Sequence, residues 1–165
     1  MEAQTINSVA DVLFDVWNET QKESTFRVSG RSMCPLIEPG NKVIIRHSRA
    51  GIKPGMLIAF RQNNRIIVHR VLRKYSGQDE TVYLSRGDHN RHLDPRIRES
   101  EIVGKVISIE RNDKRIFNVA NPYWRAVGKL VVQSVNLSRL LPGELGNHRL
   151  LRIFGVAFLR STYFV

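Results

Sequence analysis

Residues 56–75 read MLIAFRQNNRIIVHRVLRKY. Two apolar, β-branched runs, MLIAFR and RIIVHRV, flank an Asn-Asn pair at 63–64. Asparagine tolerates the left-handed backbone that a two-residue hairpin turn requires, so the stretch predicts a β-hairpin. Working outward, TFRVS (25–29), KVIIRH (42–47), TVYLSR (81–86) and EIVGKVISIER (101–111) have the same character. Pro-Gly pairs at 39–40 and 54–55, with Ser-Gly and Gly-Asp pairs further on, punctuate these runs. Six short strands separated by turn signals predict a mainly β, mostly antiparallel fold.

The flanks read differently. In residues 5–20, Ile6, Val9, Leu13, Val16 and Trp17 recur at helical spacing between acidic residues, which predicts an amphipathic N-terminal helix. After Asn118 the strand pattern fades, and 122–141 and 148–165 read as two short helices around PGELGN. In the first of these, Trp124, Val127, Leu130, Val131, Val135 and Leu137 or Ser138 outline the expected apolar face. The organisation expected is therefore an N-terminal helix over 1–24, a β-domain over 25–118 and a basic helical extension over 119–165.

Charge narrows the partners. The 165-residue chain carries +11, yet residues 1–24 hold one base and five acids, while residues 114–165 hold eight bases and one acid. A basic ending is either a solvated surface or suits an anionic partner, a phospholipid surface before nucleic acid; the acidic N-terminal stretch lacks a helix-turn-helix for DNA. The longest nearly apolar run, IFGVAFL (153–159), is far shorter than the roughly 20 residues of a membrane-spanning helix. The start lacks a basic, apolar leader pattern. The lone Cys34 leaves no internal disulfide and no argument for an oxidising compartment. A cytoplasmic location, peripheral on the inner membrane face, is the expectation.

Three polar clusters interrupt the β pattern. Ser32 follows Gly30-Arg31 just after the first strand, on a turn that can hold a hydroxyl clear of the backbone. His69 lies inside an apolar strand, where it is either a core histidine or a general base. SRGDHNRHLDP (85–95) packs Asp88, His89, His92 and Asp94 into seven residues. That cluster reads as a polar loop, as the source of a carboxylate that orients a histidine, or as metal ligands for a hydrolase. Three arginines, Arg86, Arg91 and Arg96, crowd it and disfavour a cation. Serine, histidine and carboxylate are together the parts of an acyl-transfer site.

In their order along the chain, these boxes resemble the signal peptidase I family of serine peptidases (S24/S26 type), in its archaeal and endoplasmic-reticulum branch. SGRSMCPLIEPG (29–40) is similar to the nucleophile box, IIVHRVL (66–72) to the His-Arg box, and SRGDHNRHLD (85–94) followed by IVGKVI (102–107) to the Gly-Asp box and its closing strand. The resemblance spans roughly residues 26–110. It implies a signal-peptidase-like antiparallel β-fold and a serine endopeptidase that acts on a peptide or precursor protein without cofactor or metal. By that resemblance Ser32 is the nucleophile, His69 the general base and Asp94 the orienting acid. Asp88 supports the loop, Met33 braces the nucleophile turn, and Gly30 or the Ser29 hydroxyl assists the oxyanion site. The bacterial branch has lysine where this chain has His69. Gly40-Asn41 and Gly55-Met56 stand where the family often has Gly-Asp, His89 stands where Asn is usual, and the family's membrane helix is missing. A non-catalytic binding or regulatory protein on the same scaffold is the alternative. The self-cleaving repressors, which use serine and lysine, have such a related fold.

Overall fold

Opposite charges and shared apolar faces bring the strands into register. The computed structural model describes residues 16–138, apart from 18, 79 and 113–115. The strands are β1 (Glu23–Arg27), β2 (Lys42–Arg46), β3 (Leu57–Gln62), β4 (Arg65–Ser76), β5 (Thr81–Arg86), β6 (Ile97–Arg98), β7 (Ile102–Glu110) and β8 (Ile116–Asn118). They form one antiparallel sheet in the order β1-β2-β7-β3-β4-β5-β6, with β8 also paired to β7. Glu23 lies opposite Arg46 and bonds it at 2.8 Å, and Lys42 lies opposite Glu110 at 2.8 Å. Opposite charges facing across a ladder favour that register over a slipped one.

The hairpin forms where the Asn pair predicts it. Gln62 pairs with Arg65, and Asn63 and Asn64 both take positive φ, 48° and 60°. The unbroken apolar run of β3 also has a physical reason. Leu57 and Ala59 enter one core with Met33, Leu36, Ile37, Val43, Ile45, Val103, Val106 and Ile109. Ile58 and Phe60 enter the other, with Ile52, Val71, Tyr83, Ile97 and Ile102. A strand buried on both faces cannot alternate with polar residues.

Three sequence expectations need correction. The first strand begins two residues earlier than TFRVS, because Glu23 and Ser24 extend the ladder opposite Arg46 and Ile45. β6 and β8 were not expected, since two- and three-residue strands are too short to display alternation. On the helix α1 (Pro122–Ser138), the inward residues are Val127, Val132 and Val135, with Trp124 half-buried, whereas Leu130 and Leu137 are 58% and 54% exposed. The expected apolar face is thus rotated, and Val132 takes the inward place assigned to Leu130.

Helix α1 rests on the sheet at its closest point through two glycines. A Cβ on Gly55, whose φ is +93°, would lie 2.8 Å from the Gly128 carbonyl carbon. Val132 and Val135 close over Leu72 beside this contact. Helical backbone is present at Val16, Trp17 and Glu19. The remainder of the expected N-terminal helix, and the second expected C-terminal helix over 148–165, lie outside the described residues. Among the described residues, no helix is long and apolar enough to cross a membrane.

Candidate active site

The site begins where β4 changes partners. Its first half, Arg65 to Arg70, pairs with β3, and its second half, Arg70 to Ser76, pairs with β5. His69 lies opposite Ile58, with its ring edge-on to Phe60 at 6.0 Å. β5 meets β4 at Val71–Ser85 and Arg70–Arg86. The next residue, Gly87, therefore leaves the sheet beside His69. A Cβ there would lie 2.9 Å from His69 Nε2 and 2.9 Å from Ser32 Cβ. Any side chain at Gly87 would occupy the space in which serine and histidine meet.

Ser32 is brought in from the other side by the turn after β1. Met33, Leu36 and Ile37, the residues that follow it, are buried in the first core, so the turn is held by its own apolar side chains. Two contacts fasten it to the 87–94 loop. The His89 amide donates to the Ser32 carbonyl at 2.8 Å, and the Asp88 amide lies 3.4 Å from Met33 Sδ. Ser29 and Gly30 are exposed just before the turn, and among the described residues a Cβ on Gly30 would meet nothing within 4 Å.

Three side chains then form a continuous run. Ser32 Oγ lies 2.9 Å from His69 Nε2, and His69 Nδ1 lies 2.7 Å from Asp94 Oδ2. With Asp94 ionised, Nδ1–H donates to the carboxylate, which leaves the Nε2 lone pair to accept from the serine hydroxyl. The Ser85 hydroxyl donates to the same Asp94 oxygen, and the Asp94 amide donates to the Ser85 carbonyl at 3.0 Å.

Asp88 has a different partner. It forms a two-point ion pair with Arg70, Nε to Oδ1 at 2.8 Å and Nη2 to Oδ2 at 2.6 Å. Arg70 Nη1 donates to the Gly55 carbonyl at 2.8 Å. The Arg70 side chain is 4% exposed, so both fork pairs are drawn away from water. Asp88 thereby anchors the loop to β4 and to the turn under α1, and Asp94 alone of the two faces His69. Among the described residues, no three His, Cys, Asp or Glu side chains are grouped to hold a metal ion. The metal reading of Asp88, His89, His92 and Asp94 thus finds no ligand set there.

Sequence reasoning missed two participants. Arg70 stands in the sequence as one residue of the His-Arg box, though an arginine inside an apolar strand demands a buried partner. Ser85 was quoted without a role, although it alternates with the buried Tyr83 and so faces inward.

Ser32 on its turn, His69 on β4 and Asp94 on its loop thus bring a hydroxyl, an imidazole and a carboxylate into one hydrogen-bonded run, the parts of an acyl-transfer site. A family model described as Peptidase S24-like matches residues 2–107, and the chain belongs to that family. Membership points to serine peptidase activity in general. No curated protein matches the chain.

Proposed function

We propose that the chain is a serine endopeptidase of the signal-peptidase-like Ser-His-Asp branch, which cleaves a precursor or leader peptide through an acyl-enzyme. The observation that carries this reading is the run from Ser32 Oγ through His69 to Asp94, at 2.9 Å and 2.7 Å. His69 Nε2 takes the hydroxyl proton as Oγ attacks the scissile carbonyl carbon. The imidazolium, held by Asp94, then gives that proton to the leaving amine. Water, activated by the same imidazole, releases the acyl group and restores Ser32. The Ser32 amide, with Gly30 or the Ser29 hydroxyl, faces the developing oxyanion. The exposure of Ser29 and Gly30 supports docking of an extended peptide beside the turn.

Histidine at the base position, where the bacterial signal peptidases and self-cleaving repressors have lysine, supports the archaeal and endoplasmic-reticulum branch. A cytoplasmic enzyme on an anionic membrane face is the setting we propose for it. The exposed Tyr123, Leu130 and Leu137 of α1, beside Arg125 and Lys129, support that partner.

A fluorophosphonate probe tests the chemistry without knowledge of the substrate. The reagent is expected to phosphonylate Ser32, as read by intact mass and peptide mapping. Replacement His69→Ala is expected to slow that labelling by about a thousandfold or more. Labelling elsewhere, or an unslowed His69→Ala variant, would remove the mechanism.

A further inference from the structure

Ser85 is completely buried, on the second strand of the β4–β5 ladder. Water does not reach a side chain with no exposure, so its hydroxyl must find its acceptor inside the protein. The acceptor is Asp94 Oδ2, the oxygen that also receives His69 Nδ1–H. Backbone bonding closes the arrangement, because the Asp94 amide returns a bond to the Ser85 carbonyl. One strand residue therefore holds both ends of Asp94, its amide and its carboxylate.

We propose that Ser85 is a fourth member of the site, a positioning residue that acts through Asp94. The inference rests on the serine-peptidase reading. Asp94 comes from a loop, and a loop carboxylate free to rotate about its side-chain bonds would offer His69 a shifting acceptor. The Ser85 hydroxyl fixes the rotation that points Oδ2 at Nδ1. It also donates to the carboxylate and not to the imidazole, which keeps the ring proton on Nδ1 and the Nε2 lone pair toward Ser32. A bond of this charged kind, made by a fully buried donor, is among the stronger hydrogen bonds in a protein. Ser85 acts on Asp94, the partner of His69, so its effect is on the rate of attack.

The test compares the full-length parent with Ser85→Ala, Ser85→Thr and Ser85→Cys. Two readouts are used, the fluorophosphonate labelling rate at Ser32 and the low-field proton NMR signal of His69 Nδ1–H. The labelling is run well below each variant's midpoint of thermal unfolding. Ser85→Ala is expected to label about tenfold more slowly, and to lose or broaden the low-field signal. Ser85→Thr, which keeps the hydroxyl on the same carbon, is expected to recover most of the rate. Ser85→Cys matches the shape of serine but is a weak donor, so it should label as slowly as the alanine variant. It also serves if alanine prevents folding. Parent-like labelling and an unchanged signal in Ser85→Ala, or in Ser85→Cys where alanine does not fold, would overturn the proposal. If the parent itself is not labelled at Ser32, the peptidase reading falls. The NMR signal then decides the role of Ser85 alone: lost in the variants, the positioning role stands, and unchanged, it falls.

Discussion

His69 and His47 show how one residue type takes two roles in a single sheet. His69 stands between a hydroxyl and a carboxylate. His47 is completely buried, with Nδ1 3.1 Å from the Val103 carbonyl, Nε2 2.7 Å from the Ser24 hydroxyl, and the Trp17 ring edge-on at 4.8 Å. Burial lowers the pKa of His47 below its usual value, against a smaller opposing pull from the Val103 carbonyl. A folded-state value below the unfolded one means that the unfolded chain takes up the proton first. The stability His47 contributes is therefore complete above about pH 6.5 and is lost as the pH falls below it toward the folded-state value. Urea unfolding between pH 5 and 7.5 should show stability declining on the acid side, with a flatter profile for His47→Gln. Equal slopes for parent and variant would remove His47 as the cause. Ser32, His69 and Asp94 were legible in the sequence because each stands in a box of distinctive neighbours. The Ser24–His47 pair was not, because nothing in KVIIRH says which strand lies opposite.

Strands and helix differ in how much of their placement the sequence carries. β3 and β4 were legible at once, since a positive-φ Asn pair between two apolar runs leaves little choice. The facing of α1 was not, because its stripe is apolar on more than one side. What decides its facing is the contact of Gly128 with Gly55, a property of two backbones that no hydrophobic pattern records. A Cβ at Gly128 would fall on the Gly55 carbonyl oxygen and lie 3.1 Å from Arg70 Nη1. Gly128→Val is thus expected to lower unfolding free energy by about 2 kcal/mol, measured in urea, as an overpacked contact with rigid backbone. Ala126→Val, on the exposed side of the same helix, should cost less than about 1 kcal/mol, the propensity difference alone. Equal losses at the two positions would show that the glycine contact does not seat the helix.

The charge of the molecule is laid out in one direction, with acid at the start and base toward the end. That asymmetry was fully legible, since counting requires no structure. Its proposed partner is an anionic bilayer, and vesicles of phosphatidylserine in phosphatidylcholine provide the check. Binding by the full chain is expected to weaken severalfold between 50 and 300 mM salt, and to weaken as well in a Leu130→Ser, Leu137→Ser double variant. Binding that ignores both salt and the substitutions would dismiss the membrane as partner.

The Gly55–Gly128 contact has one more consequence, for how the gene could be divided. The stretch shared with the family ends at residue 107, inside β7, whose last residues pair with both β2 and β8. Helix α1 follows, and it covers Leu72 and stands over the turn whose carbonyl receives Arg70. The border of the family match and the border of the packed structure therefore differ in this chain. A fragment cut at residue 107 would bare a raw strand edge and unroof the arginine that anchors the Asp88 loop. A fragment that keeps the strand edge paired and Leu72 covered must include β8 and the helix at least to Val135.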